Sequence, residues 1–236
     1  MLKELIDKYY RERQKDREQT HFYITDAGKC PRAVFFKFKK AFKEEMEPRV
    51  LRLFDYGDQI HQFILKPLFS MGTVRSSEIS IPPQQIISGR ADAVVSFGNE
   101  LYVLDIKSMN SMVFQNLERP KEEHLYQVQL YLHFFEIKRG LLLYVNKDTL
   151  DLKEFIFEYD ALLAKKLLLD FYNLKTKIDS NIIPSRLDSW PEGWQCKYCQ
   201  FKEICKIAES GEMNWDEFKN KIKSEPAADA INDAKV

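Results

Sequence analysis

The chain is poor in the features that most directly indicate a protein's class. Its 236 residues include only four cysteines, and 36 basic residues balance 36 acidic ones, so there is no net charge. No overall field therefore favours a polyanionic partner. No apolar run approaches the roughly 18–20 residues needed to cross a bilayer, and no internal repeat is visible. We therefore expect a soluble globular protein with no membrane association.

A secretory signal is also missing from the start of the chain. Met1-Leu2-Lys3-Glu4 leads into a charged helix without an apolar core segment. We therefore expect a reducing, cytoplasmic compartment, where cysteines ligate metals more often than they form disulfides.

The pattern along the chain predicts an α/β fold in three parts. Residues 1–20 form a charged helix, residues 21–211 form the main domain, and residues 212–236 are polar and Ala/Asp-rich, which is typical of a weakly ordered tail. Within the main domain, strands near 87–97 and 101–107 precede a helix over about 121–139. We expect Gly140 to end that helix before a short buried strand.

A hairpin is the most informative single feature. Gly98-Asn99 suits a two-residue turn of type II′, which pairs Phe97 with Glu100 and, counting outward, Asp92 with Asp105. Opposed residues share a face, and the period of two along a strand places Lys107 on it as well. Two carboxylates this close repel each other unless a cation lies between them. The register therefore predicts a metal site beside an ammonium group.

A solvated charge cluster on an exposed hairpin is the alternative. The residues from Leu101 to Leu104 are nearly all apolar, which is typical of a strand covered on both faces. Charged side chains at the end of such a strand are costly unless they have a function.

The cysteines give a second, independent signal. Cys196, Cys199 and Cys205 form a C-x2-C-x5-C cluster, and Cys30 lies far upstream. Four thiolates suit zinc or an iron–sulfur cluster, and the spacing does not separate the two. Cys30 as an ordinary buried residue beside a three-ligand zinc site is a further alternative.

A third signal lies in the helix predicted over 121–139. His124, Gln127 and Tyr131 recur at i, i+3 and i+7, so they share one face. Such a polar stripe can contact a phosphate or orient a catalytic lysine, or it can be a satisfied rim around the core.

Together these segments resemble the PD-(D/E)XK nuclease superfamily, and within it the RecB-like exonucleases that carry a 4Fe–4S cluster. The CRISPR-associated exonuclease branch is similar, including Cys30-Pro31-Arg32 before a helix, as is the nuclease domain of AddB helicase–nucleases. The motifs that carry the resemblance are Gly57-x3-His61, Gly89-Arg90-x-Asp92, Asp105-Ile106-Lys107, Gln127-x3-Tyr131 and the cysteine pattern. Position 105 carries Asp rather than Glu, which is an accepted variant, and no proline precedes Asp92.

The resemblance implies a fold and two metal sites. The fold is a restriction-endonuclease-like core, a central mixed β-sheet flanked by helices, with an Fe–S cluster joining the N- and C-terminal segments. The cluster ligands would be Cys30, Cys196, Cys199 and Cys205. The Mg²⁺ or Mn²⁺ ligands would be His61, Asp92, Asp105 and the carbonyl of Ile106.

The same resemblance implies roles and partners. Lys107 would position the attacking water and stabilise the pentavalent phosphorus state, with Gln127 and Tyr131 orienting it and the DNA backbone. We expect a metal-dependent deoxyribonuclease that removes nucleotides from single-stranded DNA ends, in CRISPR adaptation and antiviral defence or in recombination and repair. The alternatives are an accessory subunit of a spacer-processing complex, with an integrase or helicase partner, and a non-catalytic DNA-binding module with a four-cysteine zinc site.

Overall fold

The computed structural model describes residues 1–14, 19–82 and 86–224. The helices are α1 (Leu2–Glu12), α2 (Pro31–Phe38), α3 (Pro48–Ser70), α4 (Ser111–Gln115), α5 (Glu122–Phe135), α6 (Ala161–Asp179), α7 (Trp194–Lys197), α8 (Lys202–Ile207) and α9 (Trp215–Ser224). The strands are β1 (Phe22–Tyr23), β2 (Val74–Ser80), β3 (Ile87–Ser88), β4 (Arg90–Phe97), β5 (Glu100–Met109), β6 (Arg139–Asn146), β7 (Leu152–Glu158), β8 (Ile182–Ile183) and β9 (Met213–Asn214). Within the described ranges, no helix combines the length and the apolar character that crossing a membrane requires.

These residues fall into two compact units. The first, here called the sheet unit, comprises Met1–Arg13, His21–Gly28 and Glu47–Leu168. The second, here called the cysteine unit, comprises the other described residues, and α6 begins in the first unit and ends in the second.

A five-stranded mixed sheet forms the centre of the sheet unit. Its strand order is β2-β4-β5-β6-β7, with β5 and β6 parallel and the other neighbours antiparallel. Strand β5 lies in the middle, and its residues 102–106 are buried. The predicted class, an α/β fold with a central mixed sheet flanked by helices, is confirmed.

Helices cover both faces of β5. Ile60 and Ile64 of α3 pack in one core cluster with Leu104 and Ile106. Because side chains alternate along a strand, Asp105 and Lys107 point to the opposite face, where α5 packs on β5 and β6. The alternation of β5 therefore separates the hydrophobic core from the polar site.

The hairpin between β4 and β5 has the predicted turn and register. Gly98 has a φ of 61°, which the first central residue of a type II′ turn requires. The ladder runs from Phe97 opposite Glu100 to Ala93 opposite Leu104. The ladder ends there, and Asp92 and Asp105 are the residues that come directly after this last pair.

The end of α5 differs from the prediction. The helix stops at Phe135, where Glu136 takes a left-handed conformation with a φ of 55°. Gly140 lies inside β6 instead, and a Cβ atom there would stand 2.6 Å from the Phe157 ring and 2.8 Å from Val128. The prediction that Gly140 ends the helix was wrong, because this glycine allows close packing rather than a cap.

The segment after residue 212 also differs from the prediction, because β9 and α9 lie in it. Trp215 and Phe218 are buried, and the Trp215 ring lies 6.0 Å from the Phe35 ring. The expectation of weak order was wrong for residues 213–224, since the average polarity of the segment concealed two aromatic side chains at i, i+3 spacing. Residues 225–236, like residues 15–18 of the predicted N-terminal helix, lie outside the described part of the chain.

Candidate active site and cysteine cluster

The two opposed carboxylates meet where β4 and β5 pair. Asp92 Oδ2 accepts a hydrogen bond from the backbone N–H of Ile106 at 2.7 Å. Asp105 is buried, with 3% of its surface exposed, and Asp92 is half-buried. The sheet therefore fixes both carboxylates on one face, as the register predicts.

Lys107 pairs with the buried carboxylate. Its Nζ lies 2.8 Å from Asp105 Oδ2. Burial raises the pKa of Asp105, and the charge of Asp92 adds to that effect while Lys107 opposes it. Burial by itself would lower the pKa of Lys107, but the adjacent carboxylates outweigh it and raise that pKa. The ammonium is therefore held charged next to Asp105.

His61 reaches the same place from α3. Its Nδ1 lies 3.3 Å from Asp92 Oδ1. Burial lowers the pKa of His61, but the hydrogen bond to Asp92 and the nearby carboxylate charge raise it by more. The structure thus brings together His61, Asp92, Asp105 and Lys107, with the backbone of Ile106 between the carboxylates.

The donors in this cluster fit a hard divalent cation. Carboxylate and carbonyl oxygens suit Mg²⁺ and Mn²⁺, and Mn²⁺ also accepts an imidazole nitrogen. In the described part of the chain, Asp105 Oδ2 is the one buried side-chain oxygen or nitrogen without a hydrogen bond of acceptable angle. No three His, Cys, Asp or Glu side chains among the described residues already stand at the distances that hold one ion.

Helix α5 contributes Tyr131 and Gln127. The Tyr131 hydroxyl donates to the carbonyl of Arg90 at 2.8 Å. Burial raises the pKa of Tyr131, and the charges of Asp105 and Asp92 raise it further, so the phenol lies close to both carboxylates. Gln127, one turn earlier on the same helix, is only 5% exposed.

Sequence reasoning missed Tyr144. It stands opposite Lys107 in the parallel pair of β5 and β6 and is fully buried. Its hydroxyl accepts from the N–H of Lys121 at 3.0 Å and lies 3.0 Å from Nδ1 of His124. Burial raises its pKa to about 12, with Asp105 contributing. The sequence signal that could have found it is a single tyrosine within an otherwise aliphatic strand.

The four cysteines meet in the cysteine unit. All of them line one cavity of about 330 Å³, together with Arg32 and Phe36. The N–H of Cys30 donates to Oε1 of Gln195 at 2.7 Å, which ties the upstream cysteine to the segment that carries the other three.

Three of the four thiols have raised pKa values. Burial raises the pKa of Cys30, Cys196 and Cys199, and the neighbouring cysteines raise each of these values further. No three of the described cysteines are close enough to hold a single ion. The four cysteines line one cavity, and thiolates suit either zinc or an iron–sulfur cluster.

The fold and the carboxylate–lysine site define a class of protein. Residues 2–206 match the PD-(D/E)XK nuclease superfamily, and the chain belongs to that family. It is 28% identical over 197 residues to the CRISPR-associated exonuclease Cas4 of Saccharolobus solfataricus, which covers 80% of this chain and 89% of the relative. The crystal structure of SSO0001 has a similar fold, with a TM-score of 0.54 and 24% identity over 87% of this chain and 96% of that one.

Proposed function

We propose that this nuclease is a divalent-metal-dependent DNA exonuclease acting on single-stranded ends. The observation that carries the proposal is the convergence of Asp92, Asp105 and Lys107 on one face of the β4–β5 hairpin. The name of the Saccharolobus relative, an exonuclease, supports the choice of reaction.

Each residue of the cluster has a role in this proposal. His61, Asp92, Asp105 and the carbonyl of Ile106 hold Mg²⁺ or Mn²⁺. The chemistry that a bound ion supplies is a water of lowered pKa and neutralisation of charge on the scissile phosphate. Lys107, kept charged by Asp105, orients the attacking water and stabilises the negative charge that develops on the phosphate oxygens.

Helix α5 completes the proposed site. Tyr131 lies near both carboxylates, and its bond to the Arg90 carbonyl fixes the start of β4 two residues before Asp92. Gln127 lies one turn before Tyr131 on the same helix and is buried. Both residues are therefore proposed to orient the lysine and the DNA backbone.

We further propose that the four cysteines hold a 4Fe–4S cluster with a structural role, in a cytoplasmic, reducing environment. The cavity that all four cysteines line supports binding by the four thiolates together, and one zinc ion held by four cysteines is the alternative. Such a cluster would link Cys30 to Cys205 across a very long loop and so constrain the unfolded chain.

A second candidate function is that of an accessory subunit in a CRISPR adaptation complex. The observation that favours it is the CRISPR association in the name of the Saccharolobus relative. It predicts weak cleavage by the isolated chain and stimulation by an integrase partner.

Cleavage of end-labelled single-stranded DNA tests the leading proposal. Anaerobically purified protein is expected to cleave in MnCl₂ but not in EDTA, and the product ladder gives the polarity. Asp105→Asn and Lys107→Met should abolish cleavage, whereas Glu154→Gln, on the exposed edge strand β7, should not. Wild-type rates in Lys107→Met would exclude the assigned role of the lysine.

The metal content tests the cluster separately. Iron and acid-labile sulfide in equal amounts, with four of each per chain expected for a cubane, would support the proposal. One zinc per colourless chain would contradict it and leave the nuclease proposal unaffected.

A further inference from the structure

Arg32 is a buried cation without an anionic partner in the described residues. It is only 1% exposed and is among the largest fully buried side chains of the chain. An unpaired buried charge is costly, so such groups are normally paired with a carboxylate or another anion. Arg32 forms no ion pair with any described Asp or Glu, and it lines the cavity that the cysteines share.

The contacts of Arg32 divide between backbone and sulfur. Nε donates to the carbonyl of Pro184 at 2.6 Å, and Nη2 donates to the carbonyls of Gly211 at 2.8 Å and Ser210 at 3.2 Å. Nη1 instead points at Sγ of Cys205, at 3.8 Å. One arm of the guanidinium is therefore directed at a sulfur atom.

Charge explains why an arginine stands here. Carbonyl dipoles satisfy three of the hydrogen bonds but leave the positive charge uncompensated. Thiolates that bind metal carry negative charge, and a guanidinium remains protonated in proteins. The missing anion is therefore the set of thiolates around the cavity, beginning with Cys205.

We propose that Arg32 is a positioning residue for the cluster, donating an N–H···S hydrogen bond to Cys205 and compensating the negative charge of the four thiolates. The inference rests on the proposed iron–sulfur cluster. Hydrogen bonds to sulfur and net charge both set the reduction potential of such a cluster. Arg32 therefore raises that potential, because the reduced cluster carries one more negative charge.

Arg186 provides a matched control in the same unit. It donates to the carbonyl of Cys205 from Nη2 at 2.6 Å and from Nε at 3.1 Å, and to the carbonyls of Lys206 and Ala208. It thus holds the backbone of the same cysteine, but it makes no contact with a described cysteine sulfur. Both arginines donate hydrogen bonds to backbone carbonyls of this segment, but of the two only Arg32 also approaches a cysteine sulfur.

The first experiment is a potentiometric titration of the anaerobically reconstituted full chain, with dithionite as the one-electron donor. Arg32→Met is expected to lower the midpoint potential by about 59 mV or more, a tenfold change in the reduction equilibrium. Arg32→Lys retains the positive charge but loses the planar guanidinium that donates to sulfur, so a smaller decrease in the midpoint potential is expected. Arg186→Met removes a charge that also lines the cavity but no contact with sulfur, so a smaller decrease is expected, and an equal shift in both arginine variants would overturn the proposal.

A second measurement does not depend on the folding of an Arg32 variant. Wild-type protein labelled with ¹⁵N only in the guanidino groups of arginine is reduced and examined by pulsed EPR. A ¹⁵N coupling to the cluster is expected, and it should persist in Arg186→Lys. Absence of that coupling in iron-loaded protein would contradict the role of Arg32 but not the proposed iron–sulfur cluster. Wild-type protein that binds no iron overturns both proposals at once.

Discussion

The carboxylate site and the cysteine site of this chain are built in opposite ways. The carboxylate site comes from one hairpin, in which Asp92 and Asp105 are brought together by strand register, with His61 and Lys107 supplying positive partners. The cysteine site joins Cys30 to residues more than 160 positions away. Burial raises the pKa values of Cys30, Cys196 and Cys199, and the neighbouring cysteines raise them further. The positive partners of the first site thus balance its carboxylates, whereas the second is proposed to depend on its cluster for stability.

The largest effect on stability is expected from removing one cysteine of the cysteine site. Cys199→Ser should lose iron and lower the free energy of unfolding by on the order of 3–5 kcal/mol, because a cross-link over so long a loop no longer constrains the unfolded chain. Chemical denaturation of anaerobic protein measures it. Asp105→Asn is the comparison for metal content and should keep its iron. Iron loss in Asp105→Asn would show that the two sites are not separate.

The next largest effect on stability is expected from a change in the packing of β6, at Gly140. Gly140→Ala places a methyl group 2.6 Å from the Phe157 ring, which should cost roughly 1–3 kcal/mol of stability. Thermal unfolding measures the cost. Gly211→Ala is the control, because nothing lies within 4 Å of its Cβ position. Equal stability of the two variants would mean that β7 and α5 shift easily to make room.

Removal of the Tyr131 hydroxyl tests whether this residue acts in cleavage or only in stability. Tyr131→Phe removes the hydrogen bond to the Arg90 carbonyl, and we expect cleavage to fall by about tenfold, with a loss of roughly 1 kcal/mol of stability. Tyr159→Phe, which removes a hydroxyl that bonds to His133, is the matched control. It should lose comparable stability and keep full cleavage. An equal loss of cleavage in both variants would assign Tyr131 a structural role only.

The smallest effect concerns a carboxylate outside both sites. Asp7 of α1 pairs with Lys3 at 2.8 Å and with Arg52 at 2.5 Å, and these hydrogen bonds lower its pKa to about 2. Because the folded pKa lies below the unfolded value, the stabilisation is present above about pH 4 and is lost as the pH falls through about 2. Unfolding experiments over this range should show a weaker pH dependence in Asp7→Asn. An unchanged slope would mean that the pairs are screened by solvent.

Sequence reasoning worked best where the information was local. The turn at Gly98 and the period of two placed Asp92, Asp105 and Lys107 on one face, because strand geometry leaves little choice of register. It failed at Gly140, since the role of a glycine depends on what approaches it, and here Phe157 comes from another strand. It also missed Tyr144, because only the parallel pairing of β5 and β6 brings that phenol beside Lys107.

The sequence by itself therefore determined the mixed α/β architecture, the opposed carboxylates and the set of cysteines that could act together. The tertiary structure alone decided that Cys30 joins the other three, that Arg32 is buried against Cys205 and that His61 reaches Asp92. Alternation and turn geometry are properties of neighbouring residues, so they can be read from the chain. Contacts between distant segments arise from packing and from burial of charge, which no local pattern encodes.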